Sequence, residues 1–101
     1  MATYRMEDGS ILKTENAVKS WDEDTWWNGH NHISKATETQ WDHQRLHKSR
    51  KGRYWLECWS QMQGVKNRAE WQSPEDATRW LLLNDHELPE DLAHLQEEVE
   101  E

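Results

Sequence analysis

Six histidines, one cysteine and scattered carboxylates are the side chains of this 101-residue chain that could do chemistry. His30-x-His32, with Asp22, Asp24 or His43 as further donors, has the composition of a metal cluster. Zinc needs three or four ligands in fixed geometry, and the familiar Cys-x-x-Cys pairs are absent. His43 and His47 lie four apart, about 13 Å along an extended strand and too far to share an ion. No metal and no cofactor are therefore expected. Cys58, the only thiol, falls on an apolar strand face, where a cysteine behaves as a small hydrophobe. Glu57 beside a histidine could act as acid and base. The chain has no Gly-rich phosphate loop, no Gly-x-Ser-x-Gly elbow and no His-Glu-x-x-His pair. The expectation is a protein with no catalytic residues.

Charge and tryptophan content carry more. The net charge of −8 disfavours a general nucleic-acid binder, whose affinity comes mostly from cations on phosphates. An acidic surface offered to a basic partner is the compatible role. Against that background, residues 45–53 hold five of the 12 positive charges and no acid. Lys48, Arg50, Lys51 and Arg53 make a basic tip that could grip phosphates, a partner's acidic region or a second copy of the chain. The bland alternative is a solvated hairpin end that uses cations to discourage edge pairing. Eight tryptophans are the other anomaly. Tryptophan is enriched at interface hot spots and serves as a stacking platform. In a chain without Phe, however, some must build the core, and Trp71 and Trp80 are expected there.

The elements that would position these groups follow from local signals. Residues 3–13 read as a hairpin around Glu7-Asp8-Gly9, with Tyr4 opposite Leu12 and Arg5 opposite Ile11. Thr14 can cap a short helical turn. Residues 20–40 show no sustained period and are expected as an irregular loop, tied down by Trp21, Trp26, Trp27 and Ile33 and carrying His30 and His32. Residues 41–72 read as a three-stranded meander. A three-residue Arg50-Lys51-Gly52 loop sets Leu46 opposite Leu56 and Arg45 opposite Glu57. A two-residue loop would oppose Arg50 with Arg53, at a cost of about 0.2–1 kcal/mol per like-charged pair. The first register sends Leu46, Tyr54, Leu56, Cys58, Ser60 and Met62 to one face. Trp41, His43, Arg45, His47, Trp55, Glu57 and Trp59 go to the other. A sheet with helices on one side buries its aliphatic face, so Leu46, Leu56, Cys58 and Met62 are core candidates. The mixed face is then the interaction surface, either open or covered by the 20–40 loop. Ser73-Pro74-Glu75-Asp76 caps a helix over 74–84, and Pro89-Glu90-Asp91 opens a second over 89–99. The order is α+β, a single domain over 1–101.

Leu, Ile, Val and Phe total only 14 residues, yet each buried aromatic hides about 150–250 Å², enough to offset the missing aliphatics. No apolar run approaches the roughly 20 residues of a membrane helix. The N-terminal residues carry no signal segment, and a lone cysteine fits a reducing, cytoplasmic setting.

The run L-H-K-S-R-K-G-R-Y-W-L-E, followed by A-E-W-Q-S-P-E-D-A-T-R-W-L, resembles a layout shared by small uncharacterised bacterial, phage and plasmid proteins. It covers residues 40–98 and transfers no catalytic residue. It implies a mobile-element or regulatory context, with inhibitors of host defence such as anti-CRISPRs as the analogy of class. The chain thus reads as a protein-binding inhibitor or regulator, with a homodimer also compatible. Two alternatives stay open: a nucleic-acid-associated regulator using the tip, and a Trp-lined small-ligand module.

Overall fold

A computed structural model describes residues 2–100 of the chain. The fold is α+β, built on a four-stranded antiparallel sheet with two separate two-stranded hairpins. The first hairpin pairs β1 (Thr3–Arg5) with β2 (Ile11–Lys13), Tyr4 facing Leu12 as the turn residues require. Gly9 holds the left-handed position of that turn at φ 88°. A single 3₁₀ turn, Thr14–Asn16, follows.

Residues 20–40 are not one irregular loop, although 35–40 is turn and bend. They contain part of β3 (Lys19–Asp22), together with β4 (Thr25–Trp27) and β5 (His32–Ser34), the last two forming the second hairpin. The expected loop is replaced because short strands of three or four residues show too little alternation to be seen as a period. β3 joins the meander, so the sheet runs β3, β6 (Asp42–Lys48), β7 (Tyr54–Ser60), β8 (Arg68–Gln72) and has four strands instead of three. The central register is the expected one, Leu46 opposite Leu56 and Arg45 opposite Glu57. Ser49 and Arg53 close the three-residue tip, with Gly52 at φ 85°.

One face of the sheet packs against α1 (Pro74–Leu83). Ser73 caps it by accepting from the Asp76 N–H at 3.1 Å, and Asn84 closes its far end. Trp21, Leu46, Tyr54, Leu56 and Cys58 meet Ala77, Trp80, Leu81, Leu92 and Leu95 in one core. Met62 does not belong to it. β7 ends at Ser60, the alternation stops, and Met62 stands exposed in the following turn. Residues 89–99 form no continuous helix but a turn, a 3₁₀ segment at Ala93–Leu95 and a short α2 (Gln96–Val99). Asp91, expected in the first turn of that helix, is instead bound by the Tyr54 hydroxyl at 2.9 Å and by Lys48 at 3.3 Å. Leu92 and Leu95 are buried all the same.

Candidate functional site

The opposite face of the sheet carries the mixed set, and its centre is closed. The β1–β2 hairpin lies over it, the Tyr4 ring meeting Trp55 edge-on at 5.9 Å. Trp55 is 1% exposed, and His47 and Glu57 are buried with it. The covering element over this centre is therefore the N-terminal hairpin, not the segment 20–40, and these three residues are closed to a protein partner in the folded chain. Leu12 also faces inward, whereas its neighbour Ile11 stays exposed.

Beneath the hairpin the polar groups are joined. Glu57 accepts from the Tyr4 hydroxyl at 2.7 Å through one oxygen and lies 3.0 Å from His47 Nε2 through the other. His47 Nδ1 is 2.6 Å from the Ser20 hydroxyl on β3. With Glu57 accepting, Nε2 carries the proton and Nδ1 accepts from Ser20. Burial pushes the His47 pKa down and outweighs the opposing effect of Glu57, so the neutral ring is favoured. Burial, reinforced by Glu57, raises Tyr4 and keeps its phenol protonated. Ser20–His47–Glu57 has the connectivity of a nucleophile, a base and an orienting acid. Ser20 is exposed at its position on β3, while the His47 and Glu57 it leads to are buried. The chain of bonds satisfies buried polar groups beside a stacked His47–Trp55 pair 4.3 Å apart. Register signals this link, because positions 47 and 57 are diagonal neighbours on one face.

The rest of the mixed face is engaged at the edges. His43 Nδ1 is 2.7 Å from Glu23, which also accepts the Gln44 N–H at 2.6 Å. Arg45 bonds Asp22 at 2.6 Å and lies over the Trp59 ring at 5.6 Å. Although Glu57 faces Arg45 in register, Arg45 turns to β3 and Glu57 to His47. Cys58 is buried on the helix side and its thiol is raised by burial, which disfavours the reactive thiolate. Among the described residues no three His, Cys, Asp or Glu side chains converge as a metal-ligand set. His30 and His32 are exposed on the second hairpin, where His32 packs on Trp27 at 5.1 Å.

That hairpin exposes the largest aromatic groups. Trp26 and Trp27 are 50% and 59% exposed, and Trp41 is 48% exposed. Strand alternation sends Trp26 and Trp27 to opposite faces, so each face of the hairpin carries a tryptophan that is half exposed or more. Its base is fixed. Lys35 bridges Asp24 at 2.6 Å and Asp85 at 2.5 Å, and the Asp24 N–H donates to Asn84 Oδ1 at 2.9 Å. The Lys35 hydrogen bond holds the Asp24 carboxyl below its usual range. Trp71, expected in the core, is only partly buried, with the Arg53 guanidinium 3.6 Å from its ring centre. The basic tip is partly neutralised, since Lys48 pairs with Asp91 and Arg53 lies 3.7 Å from Asp8.

Among the described residues no helix is long and apolar enough to cross a membrane. No protein-family model, curated protein or solved structure matches the chain.

Proposed function

We propose that this chain is a non-enzymatic protein-binding protein whose contact residues are Trp26 and Trp27 on the β4–β5 hairpin, with Trp41 beside the start of β6. The observation that carries this reading is the double exposure of that hairpin. A chain short of apolar residues places two tryptophans on opposite faces of one blade and leaves half or more of each exposed. Large rigid aromatics of this kind anchor interfaces by filling a partner's pockets at low entropic cost. The Lys35–Asp24–Asp85 clamp pre-organises the blade, which lowers the ordering cost of binding. The fitting partner is a protein with an apolar groove wide enough for a two-stranded ribbon. The resemblance of residues 40–98 to phage and plasmid proteins argues for an inhibitor or regulator of mobile-element type.

The test compares pull-downs by the wild-type chain and by the Trp26→Ala/Trp27→Ala double variant, followed by a binding titration with each captured protein. A partner held by the wild type should bind the variant at least about tenfold more weakly, the effect of losing one modest hot spot. Equal capture by both chains, or no saturable partner at all, overturns the reading. Sedimentation of the purified chain separates a second copy from a foreign partner.

A further inference from the structure

The geometry points to a binding site for a nucleotide, mono- or oligomeric, in the cleft between the first hairpin and the basic tip. This inference is independent of the aromatic blade. The cleft has a volume of about 310 Å³, at the lower end of the roughly 300–1,000 Å³ typical of small-ligand sites. Lys13 enters from β2; Arg50, Lys51 and Arg53 enter from the tip. The chain has 20 acids and 12 Lys and Arg. Four of those cations line this cleft and no carboxylate does. Lys13, Arg50 and Lys51 form no ion pair among the described residues, while Arg45, Lys48 and Arg53 each do. Concentrating unpaired cations in an acidic chain costs self-repulsion that an anion would relieve. Arg50 is already oriented, donating to Asn16 Oδ1 at 2.9 Å across the cleft.

A bare anion does not account for the remaining walls. They are apolar or aromatic, formed by Ile11, Leu12, Ala17, Trp55 and Trp71. The Arg53 guanidinium lies on the Trp71 ring, leaving its outer plane as a stacking surface for a flat base. The Trp71 indole N–H, buried and with no acceptor among the described residues, belongs to a ring that lines this cleft and so reports on its occupancy. Cations for phosphate and a guanidinium–indole stack for a base match the two halves of a nucleotide.

The experiment titrates the ¹⁵N-labelled full chain with adenosine monophosphate, adenosine, inorganic phosphate and a short oligothymidylate, reading the indole N–H signals. Trp71→Phe assigns its own signal. Adenosine monophosphate should shift the Trp71 signal saturably, with adenosine and phosphate each at least about tenfold weaker. Arg50→Gln/Lys51→Gln should weaken binding about tenfold or more without lowering the thermal midpoint, both residues being exposed. Trp26→Ala/Trp27→Ala should leave nucleotide binding unchanged. Tighter binding of the oligomer than of the monomer identifies a strand as the source; the reverse identifies a free nucleotide, and both support the site. No saturable shift at millimolar ligand, phosphate binding as well as the nucleotide, or an unaffected Arg50/Lys51 variant overturns it.

Discussion

The chain builds two hairpins of the same size and uses them in opposite ways. β1–β2 and β4–β5 each pair three residues with three, and neither is hydrogen-bonded into the main sheet. A lone two-stranded hairpin is marginal in water, so each needs an anchor. The first anchors through its face: Tyr4 and Leu12 close over Trp55, His47 and Glu57. The second anchors through its base, at Lys35, Asp24, Asp85 and Asn84, and leaves its aromatic faces free. One hairpin completes the core and the other presents a surface. The difference lies in which end of the element does the holding, not in composition.

The sharpest way to break this contrast is within the first hairpin. Leu12→Ala should destabilise the chain by about 2–5 kcal/mol, the range for a buried Leu truncation. Ile11→Ala, one position away and exposed, should cost no more than about 0.5 kcal/mol. Urea denaturation of both variants checks the pair. Similar values for the two would mean that the hairpin does not cover the sheet.

Tyr4→Phe comes next. It keeps the ring against Trp55 but removes the donor to Glu57, leaving a buried carboxyl oxygen without that bond. The expected loss is about 1–3 kcal/mol. A double-mutant cycle with Glu57→Gln should show coupling, since the two side chains meet at 2.7 Å.

These elements also show what was readable in the chain. Gly52, with the Leu46–Leu56 and Arg45–Glu57 pairs, set the central register, and Ser73-Pro74 set the start of α1; both are local signals. The hairpin's own register was local too, but its landing on Trp55 was not. That contact joins residues 51 apart, and nothing in the spacing of Tyr4 and Leu12 names the surface they will meet. Trp21 in β3 sits among Lys19, Ser20 and Asp22, one apolar residue in four, and becomes core only because Leu46 lies opposite. Met62 shows the converse error of extending strand parity past Ser60, where the strand had ended. Of the mixed-face set, Trp41 stays exposed, while His47, Trp55 and Glu57 went to the interior with the hairpin.

The pH dependence of stability should be smaller but diagnostic. His47 has a folded pKa below the ordinary histidine value of 6.5, so the unfolded chain binds the extra proton first as pH falls. Stability is therefore full above about pH 6.5 and declines below it, by at most about 1.4 kcal/mol per pH unit for one proton. Asp24 and Asp91 act in the same sense only at lower pH, because their carboxyls lie below the usual value of 3.8. Burial opposes the charge on Asp91, but the Tyr54 and Lys48 bonds outweigh it. Chemical denaturation between pH 5 and 7 isolates the histidine. His47→Gln should flatten the slope in that window, and a slope unchanged by the substitution would remove His47 as its cause.

The smallest effect on stability should belong to the second hairpin. Trp26→Ala and Trp27→Ala should each change the unfolding free energy by no more than about 1 kcal/mol, because half or more of each side chain stays in water. A buried tryptophan truncated the same way costs about 3–5 kcal/mol, the value expected for Trp55→Ala. The same substitution made in the two places therefore measures how much of each ring the fold uses. If Trp26→Ala or Trp27→Ala cost more than about 2 kcal/mol, the blade would be part of the core and its tryptophans would need no partner. Unchanged stability together with lost partner binding would locate their role outside the chain.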